Sequence, residues 1–255
     1  MENKNPWYCE KSSKARLVSV TPRAEETIAY VARVTSKEQN NPKIEGLLKY
    51  CAKNKHWSVF EQASMTVEVV TPLAISIQAL RHRSFTFQQF SGRYEDQSFM
   101  KNHTEGLSAY GEMFYLPEKA RLQDTKNRQN SFLVEDEQLS QKMQQLFRKV
   151  YGTCEGTYRE LLELGVAKEL ARFCLPEGVF TRLYITGSVR SFIHYLQVRE
   201  DEGVAQHEHV ELSRAVRQVF ADEFPVIHRS LFEKEAALEV KESSLFRRIL
   251  DYFKR

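Results

Sequence analysis

The sequence predicts an α+β fold in a single domain over residues 1–255, with a mixed or antiparallel sheet flanked by helices, one of them long. Three observations predict it. Stretches such as 63–70 put Met65, Val67 and Val69 on alternate positions, the period of a strand with a buried face. Between Glu137 and Leu164 apolar residues recur at spacings of three and four, the period of a helix with an apolar stripe. No internal repeat, low-complexity tract or Pro/Gly/Ser-rich linker separates these patterns, so one domain mixing both element types is the economical reading.

Residues 15–20 read as a first strand. Thr21-Pro22 offers a cap and a first-turn proline for a helix to about Val34, with Ile28, Val31 and Ala32 facing inward. Pro42 opens a second helix to about Lys53, burying Ile44, Leu47, Leu48 and Cys51. After the strand at 63–70, Pro72 starts a short apolar helix, Leu73 to Leu80. It delivers Arg81-His82-Arg83 at its C-terminal end, where the helix dipole favours cations. Residues 101–135 are polar apart from Tyr115-Leu116-Pro117. The long helix contains Gly152 and Gly156, each destabilising by about 1 kcal/mol relative to alanine unless close packing against another helix compensates. Gly165 is placed to end it. A helix from Ala167 to Leu175, a strand Val179–Thr186 and a helix Ser188–Arg199 follow. The chain is then helical from Gln206 to about Phe232, with a break at Pro225, and ends in a charged tail from Glu233.

Composition narrows the function classes. A net charge of +3, from 37 basic and 34 acidic residues, is too balanced for a general nucleic-acid coat, so any anion specificity is local. No run approaches the ~18 apolar residues of a membrane span. The first residues lack the apolar core of a secretory signal, and a cytoplasmic protein is the expectation. Cys9, Cys51, Cys154 and Cys174 form no Cys-x-x-Cys pair and read as filler rather than as a disulfide framework, zinc site or nucleophile. His207 and His209 flank Glu208 two residues apart, which points them to different sides of a helix, so no metal site is expected. Glycine-rich nucleotide loops and the Gly-x-Ser-x-Gly nucleophile motif are absent.

What remains is arginine in unusual company. Arg81-His82-Arg83 is followed by hydroxyls, amides and Arg93, with no acid until Glu95. Forked guanidinium donors match phosphate and carboxylate oxygens, so the cluster suits an anion; a solvated basic turn or nucleic-acid patch would look the same. Arg172 stands between Ala171 and Phe173, where a solvated residue is not expected. Arg190 and His194 share a helix face, while Arg199 lies about 180° around from Arg190. That helix could address two anionic ligands, or these arginines could pair with Glu169, Glu200 or Glu208.

Taken in order, these residues resemble one family. Arg81-His82-Arg83, seven residues, Ser91 and then Gly92-Arg93-Tyr94 is similar to the signature of the flavin-dependent thymidylate synthases. His56-Trp57-Ser58-Val59-Phe60-Glu61 resembles the upstream His-x-x-x-Phe-Glu element of that family, and Ala32-Arg33-Val34-Thr35 an earlier one. Glu169-Leu170-Ala171-Arg172 through Leu175-Pro176, Thr181-Arg182, Arg190-Ser191, Leu196-x-x-Arg199 and Ala205-Gln206-x-Glu208 continue the series. The sequence departs from it at Thr35, Thr86, Gln88, Gln89 and Ser188, of which Gln89 loses a charge and Ser188 is shorter than the common Asn.

The resemblance implies reductive methylation of dUMP to dTMP, with 5,10-methylenetetrahydrofolate as carbon donor and NADPH reducing a bound FAD, in a homotetramer with active sites between subunits. Carried over residue by residue, it assigns FAD to Ser58, Arg81, His82, Arg83, Ser188, Arg190 and His194. It assigns dUMP to Gln78, Gln89, Phe90, Ser91, Gly92, Arg93 and Arg172, places Arg199 against the uracil as a catalytic residue, and sets His56 near flavin or folate. The first half of the Arg81–Tyr94 stretch would then face flavin and its second half dUMP. No nucleic-acid or membrane partner is expected. The alternative is a non-catalytic nucleotide- or RNA-binding module using the same basic cluster.

Overall fold

The computed structural model describes residues 5–233, and the charged tail expected from Glu233 lies, beyond that residue, outside them. In chain order the elements are β1 (Tyr8–Cys9), β2 (Lys14–Val20), α1 (Ala24–Ala32), α2 (Glu45–Lys53), a 3-10 turn (Trp57–Glu61), β3 (Ser64–Pro72), α3 (Leu73–Ala79) and β4 (Thr86–Gln89). A second 3-10 turn (Gln97–His103) precedes β5 (Ala109–Tyr110), β6 (Phe114–Tyr115), β7 (Arg121–Gln123), β8 (Ser131–Leu133) and the long α4 (Glu137–Glu163). Then come α5 (Lys168–Ala171), a 3-10 turn (Arg172–Cys174), β9 (Phe180–Ser188), α6 (Val189–Arg199), α7 (His207–Glu223), α8 (Pro225–His228) and a π turn (Arg229–Glu233).

These elements fall into two compact units, one made of 5–19, 65–187 and 191–219, the other of 20–64, 188–190 and 220–233. The segments interleave along the chain, so no single cut separates them.

The first unit carries a five-stranded sheet in the order β1-β2-β3-β9-β4, with β1 to β2 and β4 to β9 antiparallel. The α+β expectation holds. β3 has the expected buried face in Met65, Val67 and Val69, and Glu68 and Val70 are buried as well. Glu68 is buried because Arg16 on β2 and Arg182 on β9 both pair with it, which turns a polar position into a neutralised cross-strand network. The basic motif continues into β4, whose Gln89 lies opposite Leu183 of β9. The polar stretch 101–135 is built around Phe114, Met113 and Leu116, which are buried against Tyr151 of α4. The Tyr151 ring stacks on Phe114 at 4.7 Å and its hydroxyl donates to the Tyr115 carbonyl at 3.0 Å.

α4 has its expected length, with Gly165 just beyond it at φ 79 as the sequence requires. Its apolar stripe is split: Tyr151 and Tyr158 are buried, whereas Leu146 and Val150 are 55% and 52% exposed. Gly152 faces the Tyr110 hydroxyl rather than a second helix, and nothing lies close to Gly156.

In the second unit α1 begins at Ala24, not at the Thr21-Pro22 pair. Arg23 at φ 51 occupies the capping position, and Ile28 and Ala29 are buried while Val31 and Ala32 are half-buried. α2 starts three residues after Pro42 and buries Leu48, Cys51 and Ala52. The Glu25 carboxylate accepts from the Ile227 amide at 2.8 Å, satisfying a donor at the start of α8. Phe220 meets Phe224 at a tilt, with centroids 4.8 Å apart, and Phe232 edge-on at 6.3 Å. No helix among the described residues is long and apolar enough to cross a membrane.

Candidate active site

In the first unit, β3 hands the chain directly to α3 at Pro72. The first α3 amides, Leu73 and Ala74, donate to Val179 and Glu177 carbonyls at 2.8 and 3.1 Å, anchoring the helix start to the chain before β9. Seven residues of helix then suffice to present Gln78 and release Arg81-His82-Arg83. Arg81 and Arg83 are exposed, and no carboxylate among the described residues pairs with either. Two uncompensated guanidinium groups at one helix end fit an anionic group such as a pyrophosphate.

His82 turns inward. Its Nε2 accepts from Arg199 Nε at 2.8 Å, and its ring meets Tyr195 edge-on at 5.0 Å. Burial, then Arg199, then His194 lower its pKa to about 4, so the imidazole is neutral and can accept that hydrogen bond. Arg199 is half-buried; desolvation lowers its pKa, but a guanidinium stays charged at any working pH.

Gln78 is tied to the start of α7. Its amide nitrogen donates to Gln206 Oε1 at 2.7 Å, and its oxygen lies 3.2 Å from His209 Nδ1. Gln206 in turn donates to Glu208 at 2.9 Å, and Glu208 also takes Arg121 and the Tyr115 hydroxyl.

The second half of the motif assembles differently. Gln89 is half-buried, and its amide donates to Ser76 Oγ at 3.3 Å and Thr181 Oγ1 at 3.2 Å. Phe90 stacks on Phe99 and packs on the Val70, Met100 and Phe180 cluster, so its side chain serves the core. Ser91 Oγ accepts from the Arg93 amide, and Arg93 Nε pairs with Glu169 of α5 at 3.1 Å. Arg172 is exposed, contrary to the expectation from its neighbours, because the tight turn after α5 points Ala171 inward and Phe173 outward. Its stem runs past Gly92, 3.6 Å from where a Cβ would stand. Gly92, Arg93 and Arg172 are therefore brought together around α5.

In the second unit, Glu61 is a residue the site reading left out. It accepts from Ser188 Oγ and pairs with Arg190 at 3.0 Å. His56 is exposed at the start of its 3-10 turn, edge-on to Tyr50, and Ser58 is exposed one residue after Trp57. The anticipated acid partners are engaged elsewhere, Glu200 with Arg217 and Glu208 with Arg121, and Glu169 takes Arg93 instead of Arg172.

Burial raises the Cys51 and Cys174 thiols, and Cys174 Sγ donates to the Cys154 carbonyl at 3.8 Å. No group of three or more His, Cys, Asp or Glu among the described residues could hold a metal ion. Tyr195 and His209 were not anticipated as site residues; both lie on helices, and contact with His82 and Gln78 is what marks them.

The family model described as thymidylate synthase complementing protein matches residues 16–226. A probable flavin-dependent thymidylate synthase of Paramecium bursaria Chlorella virus 1 is 43% identical over 228 residues, covering 85% of this chain and 98% of its own. This chain belongs to the flavin-dependent thymidylate synthase family. A second family member, from Synechocystis sp. (strain ATCC 27184 / PCC 6803 / Kazusa), is 44% identical over 207 residues, 81% of this chain and 89% of its own. The UMP/dUMP methylase PolB from Streptomyces cacaoi, solved with 5-Br dUMP, shares the fold, with a TM-score of 0.71 over 87% of this chain and 95% of its own at 23% identity. The span matched by the family model contains every residue from His56 to Arg199 discussed above.

Proposed function

We propose that the protein is a flavin-dependent thymidylate synthase that methylates dUMP to dTMP, taking the carbon from 5,10-methylenetetrahydrofolate and using NADPH to reduce FAD. The observation that carries this reading is the exposed pair Arg81 and Arg83, which no carboxylate among the described residues pairs with, leading through neutral His82 to the charged, half-buried Arg199. When bound, FAD supplies the hydride. Its phosphates suit Arg81 and Arg83; the family resemblance adds His82, His194, Ser58, Ser188 and Arg190, the last two already oriented by Glu61.

The chain's own residues bind and polarise. Arg199 has its Nε engaged by His82, which leaves its terminal nitrogens for a ligand. A permanent cation there favours the deprotonated uracil and cannot itself accept the proton. Arg172 has no carboxylate partner among the described residues, and the Arg93–Glu169 pair is solvent-exposed and weak, so both arginines are available to a nucleotide phosphate. Gln78, Gln89, Ser91 and Gly92 complete the dUMP set. The exposed apolar flank of α4 supports assembly into a homotetramer.

The test is direct. Purified protein given FAD, dUMP, methylenetetrahydrofolate and NADPH is expected to show a flavin absorption band and to form dTMP; a flavin-free protein that makes none overturns the reading. Arg199→Ala is expected to keep the flavin band while turnover falls at least about 100-fold. Loss of the band, or unchanged turnover, counts against the assigned role.

A further inference from the structure

We propose that His209 is a positioning residue for the nucleotide site, holding the Gln78 amide in one orientation so that a single N–H and a single lone pair face the substrate. This rests on the reading of Gln78 as a dUMP contact.

The argument starts from a fixed anion. Glu208 is buried, which by itself disfavours charge, but hydrogen bonding and charge from Arg121 outweigh this and keep it ionised. A carboxylate only accepts, so Gln206 must turn its nitrogen toward Glu208, at 2.9 Å, and its oxygen away. That oxygen is 2.7 Å from the Gln78 amide, which therefore also presents nitrogen on this side and oxygen on the other. The Gln78 oxygen lies 3.2 Å from His209 Nδ1, so Nδ1 carries the proton. Every donor and acceptor in the series His209, Gln78, Gln206, Glu208 is thus assigned by the charge at its end.

Flipping Gln78 would set its oxygen against the Gln206 oxygen and would oblige His209 to move its proton to Nε2, leaving a buried N–H with no acceptor among the described residues. His209 is the lock at the free end of this series. It is fully buried and neutral, with a pKa lowered to about 3 by burial first and then by Arg199 and His82. Its Nε2 has no hydrogen-bond partner among the described residues. An unmet acceptor in the core is destabilising, and an apolar side chain would suit a packing role better. The imidazole is accounted for by the donor on its other nitrogen.

The test measures dUMP binding to the flavin-loaded protein by calorimetry, alongside KM and kcat. His209→Leu is expected to weaken dUMP binding and raise its KM about tenfold, with kcat within about threefold of the parent. His209→Asn, whose amide N–H can replace Nδ1–H, is expected to recover binding to within about threefold. Adding His209→Leu to Gln78→Ala is expected to weaken binding no further, because the lock has nothing left to hold. Gln206 is exposed, so Gln206→Leu should fold even if His209→Leu does not, and it is expected to give the same KM rise by releasing the other side of Gln78. Unchanged dUMP affinity in these variants, or losses that multiply in the double variant, overturns the positioning role. A parent protein that binds no dUMP overturns the functional reading as well, so the two failures are distinct.

Discussion

Arg199 and His82 acquire their chemistry from each other. The arginine leaves the imidazole no advantage in protonation, and the imidazole fixes the direction of the guanidinium. The same logic makes half-buried His82 and buried His209 a measurable stability term. Folded pKa values of about 4 for His82 and about 3 for His209 compare with about 6.5 in an unfolded chain. Below pH 6.5 the unfolded chain takes up protons that the fold refuses, so stability is full above that pH and is lost as pH falls toward 4 and then 3. His82 is only half-buried and solvent damps its share, so His209 dominates, at no more than about 1.4 kcal/mol per pH unit. Denaturant unfolding is expected to show this decline between pH 6.5 and 4.5, with a shallower slope in His209→Leu; equal slopes in variant and parent would refute it. Of these residues His82 and Arg199 were legible in the sequence because they sit in a spaced motif. His209 and Tyr195 were not, since an imidazole or phenol at helical spacing carries no mark of what it will face.

Among the elements, the paired strands β2, β3 and β9 show how a polar residue is tolerated in a sheet interior. Glu68, 1% exposed, sits between Arg16 and Arg182, and the Trp7 ring lies 4.4 Å from the Arg16 guanidinium. Removing the carboxylate would leave two cations facing each other with little water. Glu68→Ala is therefore expected to destabilise the fold by about 3–5 kcal/mol, read as a lower denaturation midpoint. A loss under about 1 kcal/mol would show that water or a shifted arginine compensates. Strand and helix existence was largely readable from apolar period, α4 most of all. Ends were less so, since Thr21-Pro22 and Pro42 are adequate local start signals that the packing of α1 and α2 passes over. The strand β4 was missed because its four residues are stabilised by β9, far away in sequence.

For the whole molecule, α4 leaves Leu146 and Val150 exposed among the described residues. The homotetramer reading predicts that four copies of the 29.8 kDa chain elute together in size-exclusion chromatography with light scattering. Leu146→Glu with Val150→Glu is expected to reduce that mass while leaving the helix content unchanged; a monomeric parent would refute the assembly.

What the sequence determined by itself is the chemistry available: α+β elements and an arginine-rich set in family order. Those depend on residue type and spacing, which local physics reads directly. Only the tertiary structure decided which of these groups are compensated. Glu61 neutralises Arg190, Glu169 takes Arg93, Arg81 and Arg83 meet no acid among the described residues, and Glu208 orders Gln206, Gln78 and His209. Those pairings join positions up to more than a hundred residues apart, and charge and hydrogen-bond direction act through space, where sequence spacing has no say.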